Sequence, residues 1–259
     1  MEIIVCVKRV PMTQEVDLEI NAQKNDVRKE MLAYVINEWD NYAIEEAIQI
    51  KEKLGGTVTA VTVGNEDDEE VLRRCLAMGA DKAFRIDPGN LVMDPFVISK
   101  VLAQFIKDQP HDLILTGVQR DDLNEGAVGN MLAEHLGLPH AEVVRKVELT
   151  DKEATIRVEL EGGTDEVSKI QVPALLSIQT GINEPRYVSI MGIRKAAKKE
   201  LNVVGVDTLG LAAADLQART MVEEIFLPPE TEGAQFIEGD PATVADEILR
   251  ILKEKGVGI

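Results

Sequence analysis

Two segments of this chain hold residues whose types and spacing bear on chemistry. The first reads Gly117-Val118-Gln119-Arg120-Asp121-Asp122-Leu123-Asn124-Glu125-Gly126-Ala127-Val128-Gly129. It follows a predicted strand at 112–116 and contains the start of a helix predicted over 124–136. Ligands of open parallel sheets sit outside the carboxyl ends of the strands. Small residues at a helix start leave backbone N–H groups accessible, which suits a phosphate. Asn124 reads as the cap of that helix, while Asp121 and Asp122 oppose a phosphate unless they face a ribose or solvent. The residues alone leave nucleotide binding and a structural turn both open.

The second segment reads Asn183-Glu184-Pro185-Arg186-Tyr187-Val188-Ser189-Ile190-Met191-Gly192-Ile193-Arg194-Lys195-Ala196-Ala197-Lys198-Lys199. Here Arg194, Lys195, Lys198 and Lys199 directly follow an apolar pair, Ile190-Met191. One reading is a helix end whose cations complement the helix dipole. The other is a docking surface, an apolar anchor ringed by charges that steer an acidic partner.

Elsewhere the residues carry no enzyme constellation. His111, His135 and His140 lack metal-ligand spacing and read as structural. There is no G-x-S-x-G elbow, no G-x-x-x-x-G-K-[ST] loop, and no G-x-G-x-x-G after the first strand. The 46 Asp and Glu residues read mostly as solvated surface.

The elements that must position these segments follow from periodicity. Residues 2–7 form a short apolar run, typical of a strand buried on both faces. Strands are predicted at 57–63, 83–86 and 112–116, alternating with helices at 41–54, 67–78, 95–107 and 124–136. That alternation implies βαβ units, hence an α/β fold with a mostly parallel sheet and helices on both faces. After Pro139 the rhythm changes: 141–149, 154–160 and 166–172 read as strands, with a hairpin at Gly162-Gly163, and 173–178 as another buried strand. No period dominates 181–201. Residues 212–239 are polar and Pro-interrupted, and an amphipathic helix is predicted over 241–255. Residues 1–200 are therefore expected to form the α/β domain, with 201–259 an arm that packs on a partner or folds back.

Composition bounds the rest. The chain has 259 residues, and at that size about 75% of the unfolded surface can be buried, so no disulfide or metal is needed. Hydrophobic residues make up 45% of the chain and aromatics 3%, so the core must be aliphatic. A net charge of −18 argues against nucleic acid or a constitutive anionic-membrane surface as partner. Cys6 and Cys75 form no CxxC, which excludes a disulfide framework and a zinc ribbon. The N-terminal residues read as the first strand of a cytoplasmic protein, and no apolar run approaches the about 18 residues of a membrane-spanning helix.

The two segments, with Val5-Cys6-Val7-Lys8-Arg9-Val10, Leu76-Ala77-Met78-Gly79-Ala80-Asp81 and the run from Asn37 to Ala47, carry a resemblance. From end to end the chain resembles the β subunit of electron transfer flavoproteins. The Asn-Glu-Pro-Arg-Tyr run with its basic follower is the most specific part. The resemblance implies a nucleotide-hydrolase-like, Rossmann-like fold and a heterodimer with an α subunit that holds most of the flavin, FAD. It implies a non-enzymatic electron carrier between acyl-CoA dehydrogenases and a membrane quinone oxidoreductase.

The family's β subunit usually buries an AMP without redox role. By resemblance the AMP contacts fall on Cys6, on Asn37, Glu38, Trp39 and Asp40, on Val63, and along the loop through Asp122 and Asn124. The phosphate is expected at Gly126, Ala127, Val128 and Gly129, where many AMP-binding members carry Asn-Gln-Thr instead of Gly126-Ala127-Val128. Tyr187 is expected near the FAD. Ile190 matches the recognition-loop anchor, with Met191 beside it and Arg194, Lys195, Lys198 and Lys199 forming the basic segment. Glu159 matches an acidic position linked to the α subunit, although the family's preceding Arg is Val158 here.

Some members bifurcate electrons, use NADH and bind a second FAD in place of AMP. Val128-Gly129 resembles that form, whereas the Asp-Gly-Asp-Thr-like loop and the Pro after the helix-start Gly are replaced by Asp121-Asp122-Leu123-Asn124 and Asn130. AMP is the expected ligand. A further alternative is an adenine-nucleotide-binding module resembling universal stress proteins.

Overall fold

The N-terminal apolar run becomes strand β1 (Glu2–Cys6), and its side chains divide between two cores in strict alternation. Ile3 and Val5 join one buried cluster, Ile4 and Cys6 the other. This is what a strand covered on both faces requires. The computed structural model describes the chain except residues 15, 31, 151, 230–232, 235 and 258–259.

In chain order there follow a two-stranded antiparallel ribbon, β2 (Arg9–Pro11) with β3 (Tyr34–Ile36), then α1 (Glu38–Leu54), β4 (Thr57–Val63), α2 (Glu69–Met78) and β5 (Lys82–Asp87). Next come α3 (Pro95–Ile106), β6 (Leu113–Gly117), α4 (Val128–Leu136), β7 (His140–Leu149), β8 (Glu153–Leu160), β9 (Thr164–Gln171) and β10 (Ala174–Ile178). The series closes with α5 (Ile190–Ala196), β11 (Leu201–Gly205) and α6 (Pro241–Glu254). The main sheet has nine strands in the order β11-β5-β4-β1-β6-β10-β7-β8-β9. Pairing is parallel from β11 to β7 and antiparallel across β8 and β9. The expected α/β architecture is present. Ala43, Ile44, Ile48, Leu72 and Leu76 of α1 and α2 pack on one face, and Val97, Val101, Phe105 and Leu132 of α3 and α4 on the other.

The chain divides into two units, Met1–Glu224 and Ile225–Ile259. The first extends beyond residue 200, the boundary expected from sequence, because β11 adds to the sheet edge beside β5. A strap follows it: Gln104 donates to the Leu209 carbonyl (2.7 Å), and Asp94, which caps α3 through Val97 N–H, also accepts from Arg219 and Thr220 N–H. The second unit contains α6, capped by Asp240 through the N–H groups of Ala242 and Thr243. The expected irregular stretch 212–239 includes residues 230–232 and 235, which lie outside the described residues. Its described part has a short 3-10 turn at Ala213–Leu216. Among the described residues, no helix is long and apolar enough to cross a membrane.

Candidate functional site

A cleft enclosing about 720 Å³, open solvent at its mouth included, lies at the carboxyl ends of β1, β4 and β6. Cys6, Asn37, Asp40, Val63, Gly126, Val128 and Gly129, all named from sequence, line it together. Ordinary chain geometry brings them there. The β2–β3 ribbon returns the chain so that Asn37 N–H donates to the Lys8 carbonyl (2.8 Å). Helix α1 therefore begins beside the end of β1.

Asn37 and Asp40 spend their polar atoms on the protein. Asn37 Nδ2 donates to the Gln119 carbonyl (2.8 Å), and its Oδ1 accepts from Asp121 N–H (2.9 Å). Asp121 in turn accepts from Glu38 N–H (2.9 Å), which satisfies a free donor at the start of α1. Asp40 bridges two strand ends, accepting from Lys8 N–H (2.8 Å) and Gly117 N–H (3.0 Å). Burial pushes its carboxyl up to about 7 against the pull of those backbone hydrogen bonds. Burial likewise raises the Cys6 thiol, so it stays protonated at neutral pH.

The structure corrects the helix start. The helix expected from Asn124 begins at Val128, and Asn124 caps nothing. It sits in a turn at φ 53°, its N–H donating to the Arg120 carbonyl (2.9 Å), a left-handed conformation that Asn tolerates. The residue at the cap position is Ala127, which offers no side-chain acceptor. The first N–H groups of α4 thus have no acceptor from their own helix. Gly129 presses against the sheet: a Cβ there would stand 2.6 Å from Ser177 Oγ and 2.9 Å from Thr116 Oγ1, two buried hydroxyls 3.0 Å apart.

Asp122 is fully committed. It accepts from Lys8 Nζ (2.7 Å), Arg120 Nε (2.6 Å) and Arg120 Nη2 (2.7 Å). Burial works to raise its carboxyl, but the bonds from Arg120 and Lys8 win and hold it at about 2. The acidic objection to an anion in the cleft is therefore met, since Asp121 binds a helix start and Asp122 two cations. Lys8 and Arg120 themselves line the cleft and were not picked out from sequence. Period-two alternation from Cys6 points to Lys8, whereas nothing local signals Arg120. Glu38, Trp39, Asp122, Asn124 and Ala127 flank the cleft in sequence without lining it.

Tyr187 lies in the other segment, outside the cleft and 90% exposed. Ile190 and Met191, 69% and 68% exposed, open helix α5, which Ser189 caps through Gly192 N–H (3.1 Å). The segment is tied down on both sides. Asn183 donates to Glu46 Oε2 (3.0 Å), and Arg186 forks onto Glu45 and Glu52 of α1. Lys199 Nζ donates to the carbonyls of Leu76 (3.0 Å) and Ala80 (2.8 Å) at the end of α2, while Arg73 Nη1 donates to those of Ala196 and Lys199. Lys199 thus completes a helix terminus, as the dipole reading of the basic run expects, but that of α2. Arg194, Lys195 and Lys198 are exposed.

Glu159, on β8, stands near the start of α1 through one intermediary. Gln179 Oε1 accepts from Trp39 Nε1 (3.0 Å) and Thr180 N–H (3.0 Å), which turns its amide nitrogen toward Glu159 Oε2 (3.4 Å).

The Electron transfer flavoprotein domain model matches residues 27–209. The electron transfer flavoprotein subunit beta of Bacillus subtilis is 39% identical, covering 98% of both chains. That of Methylophilus methylotrophus is 38% identical over 98% of each. The Caffeyl-CoA reductase-Etf complex subunit CarD of Acetobacterium woodii is 35% identical over 99% of this chain and 100% of its own. The chain belongs to the electron transfer flavoprotein family, among its beta subunits.

Proposed function

We propose that this protein is the electron-carrying β subunit of a heterodimeric electron transfer flavoprotein, without substrate turnover of its own. The observation that carries the reading is its similarity to such subunits over 98% of both chains. That span includes the 140–259 region, which a stand-alone stress-protein-like sensor does not call for. In this reading an α subunit holds most of the FAD, which supplies the electron-accepting chemistry. This chain contributes Tyr187 and Glu159 toward that partner. Ile190 and Met191 dock on an acyl-CoA dehydrogenase, with Arg194, Lys195 and Lys198 steering the approach, and the electrons leave to a membrane quinone oxidoreductase from the cytoplasmic side.

The cleft is proposed to hold a structural AMP. Three features support it: uncapped N–H groups at the start of α4, the close seat of Gly129 on the sheet, and the absence of a free carboxylate in the loop. Backbone groups of 126–129 would meet the phosphate. Cys6, Val63 and Pro95, with Ile98 and Leu102, offer an apolar wall for the base. One observation favours a second reading, in which a second FAD replaces AMP: the Val128-Gly129 pair, which resembles the bifurcating form. Co-expression with the α subunit tests the proposal. A stable αβ pair with one FAD supports it, two FAD per pair select the second reading, and a lone homodimer that ignores flavin-bearing partners overturns both.

A further inference from the structure

The run Leu76-Ala77-Met78-Gly79-Ala80-Asp81 closes helix α2, and its carbonyls are taken up by other parts of the chain. The Cys75 carbonyl accepts from the N–H groups of Gly79 (3.1 Å) and Ala80 (3.0 Å). That turn holds Gly79 at φ 141°, with Ile48 Cγ2 only 3.3 Å from where a Cβ would stand, so the position suits glycine. Behind it, Lys51 Nζ donates to the Gly79 carbonyl (3.1 Å) and to Asp81, whose Oδ2 also accepts from Val58 N–H (2.8 Å). The carbonyls left over at the helix end meet Lys199 Nζ, which donates to those of Leu76 (3.0 Å) and Ala80 (2.8 Å). Arg73 returns the tie from α2, its Nη1 donating to the carbonyls of Ala196 (3.3 Å) and Lys199 (2.6 Å) at the end of α5. Each helix end thus receives a cation from the other segment, at the pole where a cation is favoured.

Helix α5 depends on these ties. It has seven residues, too few to be stable in water by themselves, and of these only Ala196 is buried. Its larger apolar side chains, Ile190, Met191 and Ile193, are exposed. Burial therefore contributes little to its order. The polar ties at its two ends supply the rest, Ser189 at the start and the exchange between Arg73 and Lys199 at the finish. We infer that Lys199 is a positioning residue: with Arg73 and the 76–81 socket it sets the angle at which α5 presents Ile190, and it does not steer the partner. The inference rests on the proposed docking role of Ile190. An anchor held in its docking geometry before contact loses less conformational freedom on binding. Arg194, Lys195 and Lys198, which are exposed, remain the charges that attract an acidic partner.

The test is steady-state reduction of the FAD-loaded αβ pair by an acyl-CoA dehydrogenase, with the pair as the varied substrate. Lys199→Met should raise KM on the order of fivefold, with kcat changing far less and the circular dichroism spectrum unaltered. Arg73→Met should do the same, although Arg73 lies outside the basic run. The Ile190→Ala effect, about tenfold in the wild-type pair, should shrink to about two- to threefold in Lys199→Met, because an anchor already misplaced has less to lose. The ratio of Lys199→Met to wild type should also persist from about 0.01 M to about 0.15 M salt, whereas the effect of a steering charge fades with screening. An unchanged KM in a folded Lys199→Met overturns the inference. So do effects that simply multiply with Ile190→Ala, or a ratio that vanishes with salt. If Lys199→Met does not fold, the same three readings on Arg73→Met decide. A wild-type pair whose reduction ignores Ile190→Ala instead overturns the docking reading itself, and the positioning claim falls with it.

Discussion

Arg186 closes on Glu45 as a fork on a carboxylate. Nε lies 2.8 Å from Oε2 and Nη2 lies 3.0 Å from Oε1, while the Arg186 backbone N–H adds a bond to Oε2 at 3.1 Å. The Glu45 side chain is only 3% exposed, so this charge is matched where water does not reach it well. Glu52, about two helical turns further along α1, takes Nη1 at 2.8 Å. The relationship explains the Asn-Glu-Pro-Arg-Tyr motif physically: it fastens the segment bearing Tyr187 and Ile190 to α1. The two bound carboxylates hold the guanidinium charge firmly, moving Arg186 further above its ordinary range.

Arg186→Ala should therefore cost on the order of 2 kcal/mol, because Glu45 is left buried without its partner. Arg186→Lys, which cannot supply the parallel pair, should recover only part of that loss. Urea unfolding checks the first value, and limited proteolysis within 184–199 should speed up in both variants. Unchanged cleavage would mean the clamp does not fasten the segment.

Ile190→Ala removes an exposed side chain, so stability should move by less than about 0.5 kcal/mol. In the proposed complex the same change should slow reduction by an acyl-CoA dehydrogenase by about tenfold or more, as expected for an interface anchor. Stopped-flow reduction of the αβ pair measures it, and unaltered kinetics would remove the anchor from the account.

Gly129→Ala sets two effects against each other. Replacing a helical Gly with Ala ordinarily stabilises by about 0.5–1 kcal/mol. Here the added Cβ would meet Ser177 Oγ at 2.6 Å and Thr116 Oγ1 at 2.9 Å, both on buried side chains. The clash should win, giving a net loss of about 1–3 kcal/mol. A rise in Tm would show that α4 can lift off the sheet without cost.

The pH dependence of stability follows from Asp40. Its carboxyl ionises near 3.8 when unfolded and at about 7 when folded. Between those values the native state keeps a proton that the unfolded chain has lost. Its stabilising contribution is thus full below the unfolded value and is lost as pH rises through about 7. Asp122 has the opposite sign: held at about 2, its contribution is full above 3.8 and disappears only as the pH falls toward 2. The stability of wild type relative to Asp40→Asn should decline from about pH 5 to about pH 8. A constant difference between the two proteins across that window would contradict the assignment.

Much of the fold was legible in the sequence because the central strands and helices are long, apolar and regularly spaced. Strand β1 could be read from Ile3, Ile4 and Val5 alone. Two of the departures, the start of α4 and the added strand β11, have local causes. Helix α4 starts at Val128 and not at Asn124 because the 120–125 turn is closed by its own backbone bonds, Asn124 N–H to Arg120 and Arg120 N–H to Glu125. Strand β11 escaped notice because Leu201–Gly205 is a short edge strand, only partly covered. In the cleft, residues adjacent to strand and helix ends were readable. The Lys8–Asp122 pair was not, since its members are brought together only when β1 and β6 lie side by side. The acceptors of Lys199, the carbonyls of Leu76 and Ala80, are hidden for the same reason, since they lie at the end of a helix far away in sequence.

The central claim is that the cleft at the ends of β1, β4 and β6 clasps an adenine nucleotide in an electron-carrying αβ pair. Mass and absorbance of the small molecules released when the purified pair is denatured measure this directly. The account predicts one AMP and one FAD per pair. Release of flavin alone, with no adenylate and no second FAD, would contradict it.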